Sequence, residues 1–105
     1  MDLRQLETAV QVFRVLDPTH LPAHHIAVSL VVCQEEPVTF SVIEERLALS
    51  TSAVSRTIHA LGDEHRKGKP GFRLVTVERD PKEGRRFIAM LTPRGQALKR
   101  QLLNL

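Results

Sequence analysis

The chain has 105 residues, 42% hydrophobic and 26% charged, which suits one compact domain and leaves little room for a second. Its longest apolar run, Ile26 to Cys33 interrupted by Ser29, falls well short of the roughly 20 residues that a membrane-spanning helix needs. Fifteen lysines and arginines against twelve aspartates and glutamates leave a net charge of +3, too small on its own to name a partner.

That average hides a split. Residues 1–50 carry three cations (Arg4, Arg14 and Arg46) and seven anions, a net of −4, whereas residues 51–105 carry twelve cations and five anions, a net of +7. Such asymmetry is expected of a C-terminal half that faces a polyanion, or of a plain solvated basic face. The N-terminus, Met1-Asp2-Leu3-Arg4, has no basic leader followed by an apolar stretch and a cleavage site, so a cytoplasmic location is expected. The single cysteine, Cys33, cannot form an intramolecular disulfide, and no CxxC or HExxH spacing offers a metal site.

Along the chain, Leu3, Leu6, Val10, Phe13 and Leu16 recur at helical spacing and predict a helix over 3–16, stopped by Asp17-Pro18. A second helix is expected from near Pro22 through Ile26, Leu30, Val31 and Cys33 to Glu35-Glu36-Pro37, largely buried. Thr39 can cap a third, short helix with Phe40, Ile43 and Leu47 on one face. After only Ala48-Leu49-Ser50 a fourth helix follows over about 51–63, with Val54, Ile58 and Leu61 inward. Two short helices joined this tightly predict a helix-turn-helix over about 39–63. Each residue advances about 100°, so Ser52, Arg56, His59 and Asp63 fall on the outward face, with Ser55 on its flank.

Gly62 to Gly71 encloses His65, Arg66, Lys67 and Lys69 and reads as a mobile basic loop; its GKPG lacks the residues of a phosphate-binding P-loop. The branched and aromatic runs Phe72–Glu78 and Arg86–Thr92 flank Asp80-Pro81-Lys82-Glu83-Gly84 and predict a β-hairpin with a charged tip. Thr92-Pro93 opens a last helix, to about 104, with Ala97, Leu98 and Leu102 on its apolar side.

The fold class expected is mainly α with a small β-hairpin wing (α+β), a winged helix-turn-helix in one domain over 1–105. Leu21-Pro22, Ser50-Thr51-Ser52-Ala53-Val54-Ser55-Arg56, Asp80-Pro81-Lys82-Glu83-Gly84-Arg85-Arg86 and Leu91-Thr92-Pro93-Arg94-Gly95 together resemble MarR-type transcriptional regulators over residues 21–100, in a short, phage-like variant. The wing is the most specific part: Glu83, a spacer, Arg85, then Leu91-Thr92 before a helix that begins Pro-x-Gly. Glutamate replaces the usual aspartate of the family there. The resemblance implies that Ser52, Ser55 and Arg56 lie on a recognition helix in the major groove and that Arg85 reaches the adjacent minor groove, with Glu83 able to hold it by an ion pair. Two residues depart from the family pattern: Glu44 stands where a small alanine is usual, and Ala48 where the turn usually has glycine. The loop before the wing is also about six residues longer than is typical.

The candidate DNA-contacting residues are therefore Thr51, Ser52, Ser55, Arg56, His59, Lys67, Lys69, Lys82, Arg85 and Arg86. His59 suits either DNA or plain solvent, and the lysines of the long loop suit either phosphate contacts or a simple insertion. Cys33 reads as a buried thiol, with a redox switch as the rival. His20, His24 and His25 with Cys33 show no metal-site logic, because adjacent histidines point to different helix faces. No nucleophile elbow or paired carboxylates suggest an enzyme, and neither a cofactor nor a small-molecule effector is implied. The apolar residues of 3–16 and Leu98, Leu102, Leu103 and Leu105 suggest terminal helices that pair two copies, the rival being a monomer that packs them on its own core. The function expected is a sequence-specific, double-stranded DNA-binding regulator, a homodimeric repressor. Its alternative is a protein-interaction module, an antirepressor or assembly adaptor, favoured by Glu44 and the altered turn.

Overall fold

The computed structural model describes residues 1–66 and 69–105, with side chains for all of these except 64–66, 69 and 70. Helix α1 spans Leu3–Arg14 and starts in a reciprocal cap: the Gln5 N–H donates to Asp2 Oδ1 at 2.8 Å and the Asp2 N–H to Gln5 Oε1 at 2.9 Å. Beyond it, the Asp17 carboxylate accepts the N–H groups of His20 and Thr19, and these bonds hold it below the usual carboxylate range. Helix α2 spans Ala23–Glu35 and is the central helix of the domain. His25, Val28, Ser29, Val31, Val32 and Cys33 are all buried on it, whereas Leu30, expected inside, is 38% exposed.

A two-residue strand, β1 (Val38–Thr39), precedes α3 (Phe40–Leu47) and α4 (Thr51–Leu61). Two residues are too few to show an alternating pattern, so β1 has no signature in the sequence. It pairs with β5 (Phe87–Leu91), which pairs in turn with β4 (Val75–Arg79), giving an antiparallel sheet of order β1-β5-β4. The last helix, α5, spans Pro93–Leu103. Ile43, Val54, Ile58, Leu61, Leu74, Val28 and Val32 are fully buried in one core, and each such side chain contributes roughly 1.5–3 kcal/mol by burial. The inward stripe expected on α4 is the one observed.

The expected basic loop carries structure of its own. Glu64–Arg66 (β2) and Lys69–Pro70 (β3) pair antiparallel, so a short ribbon leaves the end of α4. Its base is closed by main-chain bonds from Gly71, Phe72, Arg73 and Leu74 to Asp63, Ala60, Gly62 and Leu61. These bonds occupy the backbone of 71–74, which is why β4 begins at Val75 and not at Phe72.

Candidate nucleic-acid interface

The connection between α3 and α4 keeps a regular tight geometry despite its unusual residues. Ala48 adopts the left-handed conformation (φ 53°, ψ 43°), and the N–H groups of Ala48 and Leu49 both donate to the Glu44 carbonyl. An L-residue with a Cβ is disfavoured there, and glycine is not. Ala48→Gly is therefore expected to stabilise the domain by about 0.5–1 kcal/mol, after allowing for the freer unfolded chain, and to raise Tm by a few degrees. An unchanged or lower Tm would show that the turn carries no strain.

Ser50 caps α4, its Oγ accepting the Ala53 N–H at 3.1 Å, and lies 3.3 Å from the Ser52 hydroxyl. Thr51, Ser52, Arg56 and His59 are exposed, as is Asp63, and Ser55 is half-buried on the flank, matching the face expected. The opposite side adds a residue the sequence reading missed, Thr57, which is buried at 1% exposure. Not all of the outer polar groups are free. The Thr51 hydroxyl donates to Glu44 Oε1 at 2.9 Å, and His59 Nδ1 lies 2.6 Å from the Ser55 carbonyl. A carbonyl only accepts, so Nδ1 carries the hydrogen and Nε2 is left as the free ring nitrogen. Arg56 makes no hydrogen bond or ion pair among the described residues.

At the wing, the Arg86 guanidinium pairs with Glu83 at 3.1 Å and with Asp80 at 3.6 Å. This corrects the expected partner: Glu83 holds Arg86, not Arg85. Arg79 donates to the Gly84 carbonyl at 2.7 Å and lies over the Phe87 ring, 5.1 Å from its centroid. The Lys82 N–H donates to Asp80 Oδ1 at 2.9 Å, and main-chain bonds from Glu83 to Asp80 and from Arg86 to Glu83 close the turn. Arg79 and Arg86 thus order the tip from within. Arg85 and the Lys82 ammonium are exposed and make no polar contact among the described residues. Lys67 lies outside the described residues, and Lys69 is described in its backbone only, on β3.

Three contacts hold the wing against the helices. Thr39 pairs with Ile88 in the sheet while its hydroxyl accepts the Val42 N–H to cap α3, so one residue serves both units. The Phe40 and Phe87 rings meet at 6.1 Å between centroids. Glu36, at the end of α2, accepts the Leu91 N–H and the Gln96 side-chain amide, each at 3.0 Å. None of Arg79, Phe87 or Glu36 was singled out in sequence, because each acts on a partner distant in the chain or across the hairpin.

Cys33 is 6% exposed, and burial pushes its thiol above the ordinary range, with Lys99 partly opposing; the thiol form is favoured over the reactive thiolate. Among the described residues no three side chains of histidine, cysteine, aspartate or glutamate gather as a metal site, and no helix is long and apolar enough to cross a membrane. One shallow cavity of about 240 Å³ lies between Asp2, Arg4, Gln5, Thr8 and Leu105, at the chain ends.

By sequence, the chain matches no family model and no curated protein. By structure it matches transcriptional regulators. PcaV from Streptomyces coelicolor, solved with its natural ligand, has 24% identity and a TM-score of 0.66, with 94% of this chain and 65% of that one covered. A MepR variant from S. aureus, bound to an oligodeoxyribonucleotide, has 18% identity and a TM-score of 0.70, covering 96% and 67%. A MarR-family regulator from Rhodococcus has 19% identity and a TM-score of 0.65, covering 96% and 64%. The chain spans about two thirds of the length of these structures. With five helices, a tight turn before α4 and a three-stranded sheet ending in a charged hairpin, it has the winged helix-turn-helix fold of the MarR-family transcriptional regulators.

Proposed function

We propose that this chain binds double-stranded DNA at specific sequences and regulates transcription as a homodimeric repressor, with no catalytic step. The observation that carries the reading is the pair of unengaged arginines, Arg56 on the outer face of α4 and Arg85 at the wing tip. They stand on a fold shared with a regulator that has been solved on an oligodeoxyribonucleotide. In this reading the first turns of α4 enter the major groove, with Thr51, Ser52, Ser55 and Arg56 at base edges and phosphates and His59 further along the helix. Arg85, with Lys82 beside it, enters the narrower and more negative minor groove. Arg86 orders the tip, and Lys67 and Lys69 add phosphate contacts. The cytoplasm, on the nucleoid, is the site of action that follows.

The dimer is supported by apolar side chains left in solvent on the terminal helices: Leu3 at 83%, Leu6 at 48%, Val10 at 42% and Leu103 at 74% exposure. Two-fold pairing through them would set two recognition helices about 34 Å apart and require a pseudo-palindromic site.

Selection from a random duplex library tests both parts. The expected result is an enriched inverted repeat whose affinity falls by orders of magnitude between about 50 and 200 mM salt, as several phosphate contacts require. A single half-site without its repeat would remove the dimer. No enrichment at low salt would overturn DNA recognition and favour the protein-interaction module.

A further inference from the structure

Glu44 is an anion placed beside the helix that the proposed function brings against a polyanion. It is half-buried on α3, and its Oε1 accepts the hydroxyl of Thr51, the exposed first residue of α4, at 2.9 Å. Its carboxylate makes no ion pair and no further hydrogen bond among the described residues. Arg46, the one cation on α3, is spent on Glu35 at 2.9 Å and Gln34 at 3.4 Å. Receiving the Thr51 hydroxyl needs only an oxygen acceptor, which glutamine would supply without the charge. The charge therefore costs phosphate affinity, and although a carboxylate accepts the Thr51 hydroxyl more strongly than an amide does, that contact does not require it.

What an acceptor-only group can add is discrimination among base edges. In the major groove guanine presents two acceptors, which repel a carboxylate; adenine presents an acceptor beside its amino donor; cytosine presents an amino donor. We infer that Glu44 is a specificity-determining residue of the proposed interface, accepting the N4 amino group of a cytosine at the base pair met by the N-terminus of α4. Thr51, by donating to one oxygen, holds the carboxylate in place while lone pairs remain for the base.

This assignment rests on the DNA-binding reading, and the experiment separates the two. Library selections are run side by side on the full chain as wild type, Glu44→Gln and Glu44→Ala, with Tm measured for each. The wild type should enrich cytosine at one position of each half-site. Glu44→Gln, which offers an amide donor and acceptor in place of two acceptors, should move that position toward adenine with Tm unchanged and the other positions retained. Glu44→Ala should lose about tenfold or more of the discrimination there and gain affinity for unrelated DNA. A motif shared unchanged by the wild type and Glu44→Gln overturns the assignment alone, leaving Glu44 as a structural partner of Thr51. A wild type that enriches nothing overturns the DNA-binding reading and the assignment with it.

Discussion

Arg85→Ala is expected to weaken binding to DNA by roughly 1–3 kcal/mol per protomer, a loss of about fivefold to 150-fold for each protomer, with little change in which sequences are preferred. The size follows from the preparation of the tip. The main chain from Asp80 to Arg86 is closed by its own hydrogen bonds, and the Arg86 guanidinium draws Asp80 and Glu83 together. Arg85 alone of the three arginines at the wing end makes no internal contact among the described residues, so its charge is available to a groove at little ordering cost beyond its own side chain. Arg86→Ala acts differently. It frees two carboxylates at the surface that approaches phosphate, so binding weakens through repulsion and a looser tip, and the salt slope changes less than in Arg85→Ala. Gel-shift titrations of both variants over a salt series measure this. Equal affinity of Arg85→Ala and the wild type at every salt concentration would remove the wing from the interface.

Gly95→Ala is expected to destabilise the chain by about 3 kcal/mol, lowering Tm by roughly 10–20 °C. A Cβ at Gly95 would lie far inside van der Waals contact of the Leu74 carbonyl oxygen and against the Leu91 side chain. Neither can withdraw cheaply. The Leu74 carbonyl receives the Thr92 N–H at 3.0 Å, while the Thr92 hydroxyl donates to the Arg73 carbonyl at 2.6 Å and accepts the Gly95 N–H at 3.0 Å. The Leu-Thr-Pro-Arg-Gly stretch is thus a lock between the wing base and α5, and its glycine is where the two backbones meet. Gly84→Ala, at the wing turn, is the control: nothing lies within 4 Å of the added carbon, so Tm should hold within a degree or two. Thermal unfolding of both decides the matter, and a Gly95→Ala protein as stable as the wild type would refute the lock.

Local chemistry made much of this legible. The cap at Thr39, the helix start at Thr92, the inward stripe Val54, Ile58, Leu61 and the charged turn after Arg79 depend on residues near each other in the chain, where periodicity and hydrogen-bonding side chains give them away. The outer face of α4 followed from the same periodicity. The partner of Glu83 did not, because in a folded turn the choice between Arg85 and Arg86 is decided by which side of the hairpin each side chain leaves from.

From sequence alone came the order of the five helices and the hairpin, the tight helix-turn-helix, and a positive charge gathered after residue 50. Those rest on properties that each segment carries by itself: apolar spacing, caps, turn residues and charge. Tertiary structure decided which charges are spent and which are free. Glu44 reaches Thr51 across the turn, Glu36 joins α2 to β5 and α5, Thr39 links the sheet to α3, and Arg79 and Arg86 brace the tip that leaves Arg85 exposed. Each of these contacts either joins separate elements or depends on how the hairpin closes. The reason is that a side chain's hydrogen-bonding capacity is written in its residue type, but the partner that uses it is set by how backbones meet in the fold, whether across the chain or within one turn.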